Sequence, residues 1–375
     1  MQGGLSVSVR NPCLASRPEN HIYSHNSRLW ANNRGLQEES VFKFYACSGA
    51  KTGGVISPPD PGKNSQVEQI RALPASELNG VGFSTLSIGG NNVGFARVLK
   101  SCIFFQLNDC GAERTRTETR IASDDLQTNL TQSYRQILAS MPVLNFKLYV
   151  TGYARFFNAI DARCNSKYIV PIPLSPKAPR AELTQELRQW VNDDVIKLNN
   201  AIEQAIATVN AENAAAGSAK KVVFVNIDID YETHRFCDNW PNWKSDAWFF
   251  GPGSGDATAQ TGTSTDWDYP LSNDTGILDV TKIDAMTCTD DADESGDWGQ
   301  MFMCGFAQLY AENPGMIDPT EVYASDPDDE DAGQTTSIQF NAFPTTWLEK
   351  ASHPKTIALA AEAYQIWLFW YVHCC

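Results

Sequence analysis

Between residues 146 and 229 a strand-like run, a long helical period and a second strand-like run follow one another. The first run is FKLYVTGY, Phe146 to Tyr153, and the second is VVFVNIDI, Val222 to Ile229. Between them Leu183, Leu187, Val191, Val195, Leu198, Ile202 and Ile206 recur at helical spacing over Ala181 to Asn213. Pro179 stands just ahead, placed for a first turn. Both short runs are apolar and β-branched without alternation, as in strands covered on both faces. Val41 to Ala46 (VFKFYA) and Gly82 to Ile88 read as further strands, and Asp124 to Met141 as a helix capped by Ser123. Strands alternating with helices predict an α/β fold: a three-layer α/β/α sandwich with a mainly parallel sheet. Sites in such sheets lie beyond the carboxyl ends of the strands.

The chain has 375 residues and a formal net charge of −15. That length suits a single domain over 1–375, with loop insertions at about 239–300 and 311–340. The acidic surface repels phosphate, so nucleic acid is not an expected partner. No apolar run is long enough to span a bilayer, so no stable membrane insertion is expected. The tail YQIWLFWYVHCC (364–375) is too short, and reads as a buried element or a terminus. Asp326 to Gly333 (DPDDEDAG) misplaces its glycine for a calcium loop and reads as solvated. Ten cysteines without a C-x-x-C pair favour disulfides and an oxidising compartment over a zinc site. Asn129-Leu130-Thr131 and Asn273-Asp274-Thr275 are glycosylation triplets of low specificity.

At the end of the strand starting at Gly82 stands IGGNNVGF, with Gly89, Gly90, Asn91 and Asn92 together. A polar turn accounts for these residues, since Gly and Asn are frequent turn formers. A sharper reading gives the asparagine a chemical role, because a carboxamide N–H at a strand end can stabilise an oxyanion. FYACSGAKTGG places Ser48 and Gly49 at another strand end, where the Gly49 N–H is a second donor or simply part of a turn. Late in the chain, ASHPKT carries His353-Pro354, and the proline restricts the backbone of the histidine. A lone histidine is also commonly structural.

The order of these motifs, CSGA, then IGGNN-VGF, then HRFC at His234 to Cys237, then SHPK, resembles the SGNH hydrolases, or GDSL-type esterases and lipases, in their secreted fungal and actinobacterial branch. The resemblance covers about residues 40–110, 146–165, 222–240 and 343–356. It implies a flavodoxin-like SGNH hydrolase fold and a carboxylic-ester hydrolase that needs no cofactor and no metal. It implies Asn91 and the Gly49 backbone N–H as the oxyanion hole and His353 as general base. It also implies disulfides Cys102–Cys110 and Cys164–Cys237, and a structural part for the HRFC segment. The expected protein is extracellular and monomeric, acting on a small-molecule or polymeric ester.

The family nucleophile, a serine in Gly-Asp-Ser on the first strand, has no counterpart here. Gly4-Leu5-Ser6 is a degenerate echo and makes Ser6 the candidate; Ser48 is a weaker one. Asn92 stands where the family usually has Asp, and Lys350, not Asp, stands three residues before His353; some relatives orient the histidine with a backbone carbonyl there, which leaves a Ser-His dyad open. A truncated N-terminus would explain together the missing first strand, the missing nucleophile motif and the lack of a signal segment at MQGGLSVSVR, and would leave the chain weakly active or inactive. Two rival readings are a non-catalytic lipid- or glycan-binding relative, suggested by the tryptophans of NWPNWKSDAWFF (239–250), and a carbohydrate acetyl esterase.

Overall fold

The computed structural model describes residues 4–6, 43, 45–46, 50–58, 64–104, 110–169, 181–242, 246–249, 322–323, 338–339, 361–362 and 365–366. In chain order the first elements are strand β1 (Gly4–Ser6), helices α1 (Thr52–Ile56), α2 (Gln66–Arg71) and α3 (Ala75–Leu78), and strand β2 (Phe83–Ser87). Helix α4 (Phe95–Val98) runs on into a wide turn at Leu99–Phe104, and α5 (Cys110–Ile121) and α6 (Asp124–Ser140) follow. Strand β3 (Lys147–Thr151), helix α7 (Gln185–Ala215) and strand β4 (Lys221–Val225) complete the central part. A separate antiparallel pair joins β5 (Val322–Tyr323) and β6 (Ile338–Gln339).

The main sheet has the order β1-β2-β3-β4. Strands β2, β3 and β4 are parallel, as their connection through helices requires. Thr85 pairs with Tyr149, and Tyr149 with Val223. Strand β3 is central, and Leu148, Tyr149, Val150 and Thr151 are all buried, so both its faces are covered. The molecule is thus a mixed α/β fold on a mainly parallel sheet. Strand β1 pairs with β2 in the antiparallel sense, Gly4 opposite Ser87 and Ser6 opposite Thr85.

Helix α6 begins where Ser123 predicts it, the serine side chain accepting from the Leu126 N–H. Helix α7 begins later than the apolar period suggests. Its cap is Thr184, whose side chain accepts from the Leu187 N–H, and residues 181–184 stay outside the helix. Pro179 lies outside the described residues. Leu183 is fully buried yet not helical; its N–H bonds to the Lys167 carbonyl. The expected strand at Val41 to Ala46 is not formed at Lys43, Tyr45 and Ala46, the part of it described. Lys43 is instead buried and ion-paired with Glu77.

Three asparagines of α7 fasten this helix to the sheet layer, and each grips both backbone groups of one residue. Asn210 accepts from the Val222 N–H at 2.9 Å and donates to its carbonyl at 2.8 Å. Asn199 does the same to Tyr153, at 2.8 Å each way. Asn192 grips Phe157, at 3.2 and 2.8 Å. Steps of seven and eleven residues are close to whole turns of an α-helix, so the three lie on one face. The gripped residues are at the start of β4 and beyond the end of β3, where the asparagine side chains satisfy backbone groups that the pairing of β3 with β4 leaves over.

Among the described residues two disulfides close loops around this frame: Cys102–Cys110 ahead of α5 and Cys164–Cys237. The insertions at 239–300 and 311–340, the acidic run and the Asn273 triplet lie almost wholly outside the described residues. The Asn129 triplet sits inside α6, with Thr131 buried and bonded to the Gln127 carbonyl. Among the described residues no helix is long and apolar enough to cross a membrane.

Candidate active site

The carboxyl edge of the parallel strands carries the candidate site. Strand β2 ends at Ser87, Ile88 is fully buried behind it, and the chain reverses at Gly89. Gly89 has φ +121°, a conformation that a side chain strains, and a Cβ there would lie 3.5 Å from Leu198 Cδ1 of α7. Glycine thus serves the turn, while the space beside it would accept a Cβ at ordinary contact distance. The turn is closed from within: the Val93 N–H bonds to the Gly89 carbonyl at 3.2 Å and the Phe95 N–H to that of Gly90 at 3.2 Å.

Three contacts fasten this turn to the rest of the fold. The Gly90 N–H donates to the Tyr153 hydroxyl at 2.9 Å. Asn91 is buried, and its Nδ2 donates to the Ala50 carbonyl at 3.1 Å. Asn92 accepts from the Thr52 N–H at 3.0 Å and donates to its hydroxyl at 2.8 Å. The two asparagines therefore tie the end of β2 to the segment at 50–52, immediately after Gly49. Asn92, in the position where the resembled family has Asp, caps the first N–H of α1, for which Lys51 provides no side-chain bond.

Gly49, Ser48 and His353 lie outside the described residues. Ser6 lies in β1, two pairs back from Gly4, which is opposite Ser87. At the usual strand rise that is about 7 Å short of the end of β2. From Gly4 to Ser6 the strand leads away from the edge that carries Asn91, because β1 is antiparallel.

The HRFC segment packs as a unit. Cys237 is bridged to Cys164, and Phe236 forms a parallel bridge with Phe157. Arg235 donates to the Asp228 carboxylate at 3.0 Å. The ring of His234 stacks on Trp248 with centroids 4.4 Å apart. From the turn an aromatic series runs through Phe95, Phe156, Phe249 and Tyr231, neighbours stacked at 4.6 to 4.9 Å. Trp240 of the tryptophan-rich segment lies under Arg163 and Lys167, each 5.4 Å from its ring.

Sequence reasoning missed Ala50, Tyr153 and Asn199. Tyr153 stands two residues past β3, after Gly152, as Gly89 stands two past β2. A glycine and a polar tip at neighbouring strand ends was the available signal. Asn199 follows Leu198 but lies about 100° round the helix from it, off the apolar stripe, and carries no such signal. Burial pushes the Tyr153 hydroxyl above its ordinary pKa, partly offset by the bonds from Gly90 and the Ser87 side chain.

No protein-family model matches the chain. It is 33% identical over 154 residues to Lipase 1 of Streptomyces coelicolor, covering 41% of this chain and 48% of that protein. It is 26% identical over 214 residues to a lipase of Streptomyces rimosus, covering 57% of this chain and 62% of that protein. The chain thus spans about half to three-fifths of the length of these relatives. Among solved structures, phospholipase A1 from Streptomyces albidoflavus NA297 aligns over 54% of this chain and 65% of its own, at 22% identity and a TM-score of 0.37. The extracellular lipase of Streptomyces rimosus aligns over the same shares at 20% identity and a TM-score of 0.38. Over part of its length, this chain is similar in sequence to proteins named as Streptomyces lipases.

Proposed function

We propose that this protein is a carboxylic-ester hydrolase of the lipase and esterase type, working by the SGNH serine mechanism. A serine attacks the acyl carbon with His353 as general base. The bond from the carbonyl carbon to the alcohol oxygen breaks, His353 returns its proton to the departing alcohol, and water releases the acid. Asn91 and the Gly49 N–H hold the negative oxygen of each tetrahedral intermediate. The observation that carries this reading is the Asn91–Ala50 bond. It sets a carboxamide at the carboxyl edge of the sheet, one residue along the chain from Gly49. The similarity to proteins named lipases supports the reaction class.

The two disulfides support an extracellular setting, since such bonds persist in oxidising compartments. The substrate is a small-molecule or polymeric ester, and the protein acts as a monomer.

Hydrolysis of p-nitrophenyl butyrate and labelling by a fluorophosphonate test the proposal. His353→Ala should abolish both, and Asn91→Ala should lower kcat by about 10²–10³. Hydrolysis that survives His353→Ala overturns the mechanism. Ser6→Ala decides the nucleophile: loss of labelling assigns the role to Ser6, and undiminished labelling moves it to another serine.

A further inference from the structure

The Gly89–Asn91 turn is held from outside by a relay that begins on α7. Asn199 grips the N–H and the carbonyl of Tyr153. Tyr153 is 6% exposed, and its hydroxyl accepts the Gly90 N–H at 2.9 Å. Gly90 is the residue before Asn91. Gly152 makes room for the relay, because a Cβ there would lie 3.0 Å from Asn199 Oδ1 and 2.7 Å from Phe224 Cζ.

We propose that Tyr153, fixed by Asn199, is a positioning residue for the oxyanion-stabilising carboxamide of Asn91. This rests on the ester-hydrolase reading above. The carbonyls of Gly89, Gly90 and Asn91 are bonded within the turn, to the N–H groups of Val93, Phe95 and Gly94. Those bonds fix the shape of the turn and leave open its tilt against the sheet. The tilt is set where the turn meets other elements, and the Gly90 peptide is the one nearest the flexible Gly89. Glycine at φ +121° permits rotation there, so a hydrogen-bond acceptor at the next N–H selects one orientation together with the Asn91–Ala50 and Asn92–Thr52 bonds. A phenolic oxygen suits this role because its ring is rigid and its stem is clamped at both backbone groups. An oxyanion donor acts only when aimed at the place where charge develops, so the relay acts on the transition state more than on substrate binding.

The test is Tyr153→Phe, which keeps the buried ring and removes the acceptor. With p-nitrophenyl butyrate, kcat should fall by between about tenfold and a hundredfold while KM stays within about twofold. Hydrogen exchange across residues 84–95 should quicken in the same variant. Asn199→Asp is the second variant: it keeps the acceptor for the Tyr153 N–H, loses the donor to its carbonyl, and should lower kcat in the same direction. An unchanged kcat in a folded Tyr153→Phe protein overturns the positioning role and leaves the esterase reading standing. A raised KM at unchanged kcat overturns it too, as a binding effect. A wild-type protein that neither hydrolyses the ester nor takes up a fluorophosphonate overturns the esterase reading and this proposal with it, even if exchange at Gly90 responds as expected.

Discussion

Asn92 holds Thr52 at two points, its oxygen on the Thr52 N–H and its amide nitrogen on the Thr52 hydroxyl, at 3.0 and 2.8 Å. Thr52 is fully buried at the start of α1, so the turn after β2 and the segment after Gly49 share one clamp. An aspartate there retains the acceptor for the N–H, and the threonine hydroxyl can turn to donate to the second oxygen. Asn92→Asp should therefore cost less than about 1 kcal/mol. Asn92→Ala leaves the Thr52 N–H without this partner and should cost about 1–3 kcal/mol. Urea unfolding of the two variants checks the order, and an alanine variant as stable as the aspartate refutes the clamp.

The same reasoning applies to Asn192, which is 4% exposed and grips Phe157. Asn192→Leu fills similar volume but leaves a buried N–H and a buried carbonyl unpaired, a loss of about 2–4 kcal/mol. Asn192→Asp keeps the acceptor, sets a carboxylate against the Phe157 carbonyl, and should lose at least as much at neutral pH. Thermal unfolding at neutral and acidic pH separates the variants, because protonating the aspartate restores a donor and should recover part of the loss.

Strand β3 was legible in the sequence because burial on both faces leaves a continuous apolar run, β2 and β4 from short β-rich runs whose burial is alternate or partial, and α6 because a serine before a helix is a local signal. What failed depended on tertiary partners. Leu183 extended the apparent helical stripe although its burial serves a loop, and the true cap, Thr184, follows it. Lys43 sits in a run that reads as a strand, yet its ion pair with Glu77 lies outside any sheet. Strand β1 is three residues long and has no periodicity to read. In the site, Asn91 was legible because a glycine pair precedes it at a strand end. Its acceptor, Ala50, carries no signal because the contact is made by backbone. The asparagines of α7 read as solvent-facing polar residues until the helix has a sheet beside it.

The disulfides should differ in weight. Cys164–Cys237 spans a separation of 73 residues and Cys102–Cys110 one of 8. On chain-entropy grounds, replacing the first pair by alanines should cost about 4 kcal/mol and the second about 2–3 kcal/mol. Cys237 also lies beside the buried guanidinium of Arg188, Nη1 to Sγ 3.9 Å, so its loss disturbs that packing as well. Urea midpoints of the two double variants test the ranking, and a larger loss from Cys102→Ala/Cys110→Ala reverses it.

Glu362 ties the chain beyond His353 to the region after β4. Its Oε1 accepts the Tyr231 hydroxyl at 2.6 Å, and Gln365 donates to the Asp230 carboxylate at 2.9 Å. Burial of the carboxyl pushes the Glu362 pKa up to about 7; the Tyr231 bond opposes this and the Asp230 charge adds to it. Burial raises Asp230 as well. A carboxyl with a raised folded-state pKa holds its proton longer when folded than when unfolded. Stability should then be highest below the unfolded value and fall as pH climbs from about 4.5 to about 7, with no further change from this group above that. Full burial would make the loss about 3 kcal/mol, but the residue as a whole is half-buried, and solvent screening brings the expected loss to about 1 kcal/mol. Glu362→Gln keeps an acceptor for Tyr231 and cannot ionise. Its stability relative to the native chain should rise across that window, by urea unfolding at pH 5, 6, 7 and 8, and a constant difference over the four pH values removes Glu362 as the titrating group.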